Sequence, residues 1–172
     1  RDIELAVDTN EVVHIAYVVP DEGEIRLIRV DGTTYDHRVL LRDSNVVPHI
    51  GMGLDGNNLE QIVTTVGQDN NITLQLLRSL AGQETGRINP APSTTITGAQ
   101  GIEEGSMKMG DLNGDGFDDL VIAEPEYDGD GLQRGRVLVH YGSTSGPALD
   151  ADVTLAGESD DALFGHGLCV AD

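Results

Sequence analysis

Apolar and polar positions alternate from the start of the chain. Ile3, Leu5 and Val7 stand between charged or small residues, the period of two expected of a half-buried strand. Asp8-Thr9-Asn10 breaks that pattern, and residues 12–19 resume it as a second strand that includes His14-Ile15-Ala16-Tyr17. Pro20-Asp21-Glu22-Gly23 reads as a turn. Residues 24–30 alternate Ile25 and Leu27 with Arg26 and Arg29, Asp31-Gly32 turns again, and 35–41 completes a four-strand antiparallel unit. The same reading gives strands at 61–66, 71–77, 94–98, 120–123, 135–142 and 153–155. Only the stretch 76–83, with Leu76-Leu77-Arg78-Ser79-Leu80-Ala81, could form a helical turn. The fold class is all-β, built of short strands with no helix beyond about two turns.

One loop carries recognisable chemistry. Asp111-Leu112-Asn113-Gly114-Asp115-Gly116-Phe117-Asp118-Asp119 reads D-x-N-x-D-G-x-x-D and runs directly into Leu120-Val121-Ile122. Side-chain oxygens of Asp111, Asn113, Asp115 and Asp119, with the Phe117 carbonyl, supply most of the six to eight hard ligands that Ca²⁺ prefers. Without a cation, carboxylates this close repel one another. An EF-hand is excluded because the twelfth position is Ile122, where a bidentate Glu is needed, and a strand-like run ending at Pro125 follows in place of a helix. The expectation is a structural Ca²⁺ loop joining two strands.

Other motifs weaken on inspection. Gly51-Met52-Gly53-Leu54-Asp55-Gly56 matches the dinucleotide fingerprint, but Asn57-Asn58 and a β-branched run follow where a helix must open. Gly142-Ser143-Thr144-Ser145-Gly146 lacks a central Ser and is no nucleophile elbow. Laid on the calcium loop without a gap, Gly53 falls on Asp111, Asp55 on Asn113, Asn57 on Asp115 and Gln61 on Asp119, an eroded copy expected to bind no calcium. Asn71-Ile72-Thr73 is an N-glycosylation sequon, which predicts a surface position. The five histidines show no metal-ligand spacing.

Composition narrows the function classes. The 172 residues suffice for a sizeable core, which must come from Val, Ile and Leu because aromatics are only 3%. A net charge of −20 excludes nucleic-acid binding through phosphates and suits cation binding. No run approaches a membrane span. Cys169 is the one cysteine, so no internal disulfide forms, and its apolar neighbours predict a small buried residue.

Equivalent features recur at a period of roughly sixty residues, the signature of repeated blades. From about Gly105 the chain resembles the FG-GAP repeats of integrin-α-like propellers. Gly110-Asp111 through Ile122 matches the family's calcium-loop strand, residues 135–143 its second strand, and Phe164-Gly165 its Phe-Gly element. Ala123-Glu124-Pro125 keeps only the Pro of the usual Gly-Ala-Pro, and Glu103-Glu104 stands where a first Phe-Gly belongs. The first hundred residues match weakly. The resemblance implies about three four-stranded antiparallel β-propeller blades: a degenerate blade over 1–50, a degenerate FG-GAP-like blade over 51–104, and over 105–172 the blade with the calcium loop and the start of the next repeat. Closed propellers have four to eight blades, so the remaining blades are expected from further sequence or a partner chain. The resemblance further implies an extracellular or cell-surface module for adhesion, scaffolding or binding of a protein or glycan ligand. A structural subunit of an extracellular assembly and part of a glycan-processing propeller enzyme stay open beside it.

Overall fold

The computed structural model describes residues 3–43, 46–68, 71–78, 107–144, 146–148 and 150–169, with backbone only for 46–48, 66–68, 71–76 and 78. The chain divides into two compact units, Arg1–Thr95 and Ile96–Asp172.

The first unit holds two antiparallel sheets. β1 (Ile3–Val7), β2 (Val13–Val19), β3 (Glu24–Asp31) and β4 (Thr34–Arg42) form a four-stranded meander, with a single 3₁₀ turn, Pro20–Glu22, between β2 and β3. β5 (Val46–Leu54), β6 (Glu60–Gln68) and β7 (Asn71–Arg78) form a three-stranded sheet. The two pack face to face through Ala16, Val18, Ile25, Leu27, Ile50, Met52, Ile62 and Leu77, with Ala6, Leu40 and Leu41 at the margin. Inward residues come from alternate positions of each strand, as sheet packing requires.

The first strand faces the other way from its sequence reading. Ile3, Leu5 and Val7 are 65%, 60% and 57% exposed, while Ala6 packs on the core. Register explains this: His14 and Ala16 of β2 point inward, and their partners are Ala6 and Glu4. The apolar residues of β1 pair with Tyr17, Ile15 and Val13 on the outer face. Ile28 and Val30 of β3 and Tyr35 of β4 continue that face. Alternation identified the strand but could not name its side, which the pairing with β2 sets.

In the second unit β8 (Met107–Gly110), β9 (Asp119–Glu124), β10 (Arg136–His140) and β11 (Val153–Ala156) make a second four-stranded antiparallel sheet, ordered β11-β10-β9-β8. Every residue of β9 is buried, as befits its central position. Val121, Ala123 and Val137 pack together with Leu168. Phe164 forms a bridge to Gly135, and its N–H donates to the Arg134 carbonyl, so the Phe-Gly segment docks on the entry to β10. Glu124 is fully buried and pairs with Arg136, whose guanidinium also lies 3.7 Å above the Tyr127 ring. That pairing is why a charged residue fits where the resemblance leads one to expect a small one.

Several expectations change. Cys169 is exposed, not buried. Leu76 and Leu77 continue β7 through Arg78 and make no helical turn there. β5 was missed: its Gly51 and Gly53 read as a loop, yet both lie within the strand. The second sheet thus begins at Val46. The strand expected at 94–98, the Glu103-Glu104 junction and the Asn71 side chain lie outside the described residues. No helix among the described residues is long and apolar enough to cross a membrane.

Candidate metal centre

The loop 111–119 joins β8 to β9, with Gly110 paired to Asp119 at its neck. The whole candidate ligand set therefore hangs from one hairpin. Gly114 and Gly116 take φ values of 77° and 87°, which other residues adopt only with strain. These two left-handed steps coil the backbone around the Asp111 carboxylate. Asp111 Oδ1 accepts from the N–H groups of Gly114 (2.7 Å) and Asp115 (3.1 Å), and Oδ2 from Gly116 (2.8 Å). Asn113 Oδ1 accepts from the Asp115 N–H and its amide donates to Asp115 Oδ2. Asp115 Oδ1 accepts from the Phe117 N–H.

Asp119 differs from the others in being fully buried. Its Oδ2 takes the Leu112 N–H at 3.0 Å and its Oδ1 the Gly142 N–H at 2.7 Å. One carboxylate thus fastens the start of the loop to the exit of β10. A side chain at Gly142 has no room, since a Cβ there would lie 2.3 Å from the Asp118 carbonyl oxygen.

The donor set suits a hard cation in type and order. Asp111, Asn113 and Asp115 are brought together by the coil, and Asp119 closes its base. Among the described residues no three His, Cys, Asp or Glu side chains converge as a ready-made metal cluster. In this conformation the loop's oxygens are turned onto its own amides. A carboxylate oxygen holding one N–H keeps a lone pair for a second partner.

The resemblance between the loop and its eroded copy survives with a correction. Gly53 pairs with Gln61 as Gly110 pairs with Asp119. Gly53 therefore corresponds to Gly110, and the loop that follows is one residue shorter than an ungapped comparison suggests. Its turn is held by Asp55, whose Oδ1 accepts from the N–H groups of Asn57 and Leu59. Asp8 does the same for Asn10 and Val12 between β1 and β2. Glu11 and Asn58, three residues after each Asp, share a positive φ of 64° and 61°. The two earlier turns are thus copies of one another, each capped by its aspartate.

A second polar cluster was invisible to spacing arguments. His14 and Glu60, on different sheets of the first unit, meet with Nδ1 2.7 Å from Oε1. Arg29 donates through Nε to Glu60 Oε1 and through a terminal nitrogen to Oε2 at 2.6 Å. Glu60 is fully buried and His14 is 2% exposed. Hydrogen bonds to Glu60 raise the Arg29 pKa. Burial pushes Asp8 up, but the N–H groups of Val12 and Asn10 outweigh it and hold the carboxyl below its usual range. The available signal was a histidine in phase with Ala16 and Val18 on an inward face. His140, on β10, is buried too; desolvation lowers its pKa, and Nδ1 lies 3.1 Å from the Ala148 carbonyl.

Comparison with known proteins agrees with this architecture. A match to the FG-GAP repeat covers residues 109–140. Phosphatidylinositol-glycan-specific phospholipase D of Mus musculus is 35% identical over 103 residues, 54% of this chain and 12% of the relative. The Homo sapiens protein of that name is 34% identical over 99 residues, 51% of this chain and 11% of the relative. The matched region thus spans about an eighth of these relatives or less. Among solved structures, a fucose lectin from Kordia zhangzhouensis in complex with methyl-fucoside aligns with a TM-score of 0.54 at 12% identity, covering 92% of this chain and 99% of the lectin. A GH43 β-1,3-galactosidase with galactodeoxynojirimycin aligns with a TM-score of 0.57 at 13% identity, covering 93% of this chain and 46% of the enzyme. At such identities the likeness concerns the fold, and both are propeller proteins. The chain is an all-β protein of propeller-type sheets, and its residues 109–140 are an FG-GAP repeat.

Proposed function

We propose that this chain is a calcium-pinned propeller module, working outside the cell or at its surface as a binding or scaffolding element. The observation that carries the reading is the loop 111–119: five oxygen donors on one hairpin, with Asp119 buried and tied to both loop and sheet. Asp111, Asn113, Asp115, the Phe117 carbonyl and Asp119 are the proposed ligands. The ion would neutralise three carboxylates and fix the β8–β9 turn, a structural role without chemistry. Titration of Ca²⁺ into the chelator-treated chain by calorimetry should show one site, lost in Asp111→Ala. Absence of any binding heat in the parent protein rejects the proposal.

The three sheets serve as three blades, and the outer face of the first awaits a further one, from the same polypeptide or a partner chain. Ile3, Leu5, Val7 and Tyr35 are all more than half exposed on that face, while the opposite face is already covered by a neighbouring sheet. Light scattering of Ile3→Lys, Leu5→Lys tests this. The charges should abolish any self-association of the parent and leave its folding intact.

A protein or glycan ligand fits such a module better than a reaction. The carboxylates around His14 are already committed: Glu60 to Arg29, and Asp8 Oδ1 to a turn.

A further inference from the structure

The sequence places a glycine after one asparagine only: Asn113 precedes Gly114, while the other asparagines precede Glu, Val, Asn, Leu, Ile or Pro. That dipeptide carries a reactivity of its own. The backbone nitrogen of the following residue can attack the asparagine side-chain carbon, and a Cβ on that residue hinders the approach. Gly114 has none, and the space where one would lie is open. Both residues stand on the exposed part of the loop, where water reaches them. The φ of 77° at Gly114 is one that other residues adopt only with strain, so the coil itself calls for glycine there.

The loop arranges its neighbours around that reaction. The attacking nitrogen must shed its proton, and the Gly114 N–H donates to Asp111 Oδ1 at 2.7 Å. The N–H lies in the peptide plane, whereas the nitrogen attacks through the electron pair perpendicular to it. The contact therefore draws on the proton without blocking the approach. The side-chain carbonyl oxygen gathers negative charge as its carbon becomes tetrahedral. The Asp115 N–H donates to that oxygen, Asn113 Oδ1, at 2.9 Å, where the charge develops. The departing amide is held as well, since Asn113 Nδ2 donates to Asp115 Oδ2 at 3.0 Å. A proton acceptor for the nucleophile and a donor for the oxyanion thus meet on one side chain, the elements of general-base and electrostatic assistance.

We propose that Asn113-Gly114 is a self-modifying site, at which the folded loop drives deamidation through a succinimide. The bond from the Gly114 nitrogen to Asn113 Cγ forms, and the nitrogen's proton passes toward Asp111 and on to water. The Cγ–Nδ2 bond then breaks, and the amide takes a proton from water and leaves as ammonia. Water opens the ring at either carbonyl, which leaves aspartate or isoaspartate at position 113. Aspartate adds a further carboxylate to the loop. Isoaspartate lengthens the backbone by a methylene and disrupts the coil around the Asp111 carboxylate. The site stands on these contacts whether or not the loop binds calcium.

The test incubates the intact chain with chelator at neutral pH, folded and in guanidinium chloride, and follows position 113 by peptide mass mapping. The mass change of NH replaced by O reports deamidation, and methylation by an isoaspartyl methyltransferase reports passage through the ring. The folded chain should react at Asn113 about tenfold faster than the unfolded one, because unfolding removes both the acceptor and the donor. Asp111→Asn keeps an oxygen for the Gly114 N–H but takes up no proton, and should slow the folded rate about tenfold. The comparison of folded and unfolded parent provides the test if that variant does not fold. Asn113→Gln should yield no isoaspartate over the same period. A folded rate equal to or below the unfolded one would mean that the loop only shields an ordinary Asn-Gly pair, and overturns the proposal. An unchanged rate in folded Asp111→Asn, or aspartate formed without isoaspartate, overturns it as well.

Discussion

Replacing Arg29 with Met takes the guanidinium away from the Glu60 carboxylate between the two sheets of the first unit. In the parent, both carboxylate oxygens are held by the guanidinium, and His14 reaches only Oε1. The variant keeps the aliphatic volume of Arg29 but removes the charge, taking both guanidinium hydrogen bonds from a fully buried carboxylate. Breaking a buried pair from one side costs roughly 3–5 kcal/mol. The Arg29 side chain is 29% exposed, so water reaches part of the vacated space. The expected loss is accordingly about 2–3 kcal/mol after that allowance. For a unit of this size it corresponds to a fall in melting temperature of roughly 10–20 °C. Urea unfolding at neutral pH, followed by circular dichroism, measures it. Adding Glu60→Gln to Arg29→Met removes the stranded charge and should recover part of the loss, so the double-mutant cycle shows strong coupling. A loss below about 0.5 kcal/mol for Arg29→Met, or strict additivity, would refute the reasoning.

Gly142→Ala should destabilise the second unit by about 1–3 kcal/mol, because its Cβ meets the Asp118 carbonyl, and should weaken calcium binding by displacing the N–H that holds Asp119; thermal unfolding and calorimetry read the two effects. His140 gives a pH signature. Burial lowers its folded-state pKa, so the unfolded chain binds the proton more readily; this contribution is fully present above the unfolded value near 6.5 and is lost as pH falls through that value toward the folded one. Urea midpoints between about pH 7.5 and 5 should therefore fall, and His140→Gln should reduce the slope.

The sequence rendered most of the strands legible because short alternating runs and turn residues agree, as at β2, β3 and β4. The tight turn at 111–119 was legible for a different reason: closely spaced Asp, Asn and Gly residues are a local turn code that needs no partner. What escaped depends on contacts far along the chain. β5 was hidden because Gly51 and Gly53 imitate a loop, while their strand is fixed by pairing with Val63 and Gln61. The outward turn of Ile3, Leu5 and Val7 follows from β2 placing His14 and Ala16 on the inner face. The meeting of His14 with Glu60 spans two sheets, and no periodicity within one strand announces it.

Differential scanning calorimetry of the intact chain tests the loop 111–119 as a structural calcium site most directly. The comparison is between chelator and Ca²⁺ at about a hundred times its Kd, with Asp111→Ala beside the parent. Binding to the folded state alone should stabilise it by about 2.7 kcal/mol, raising the melting temperature of the parent by several degrees and leaving Asp111→Ala unmoved. An unchanged parent melting temperature, or an equal rise in both proteins, would contradict the account.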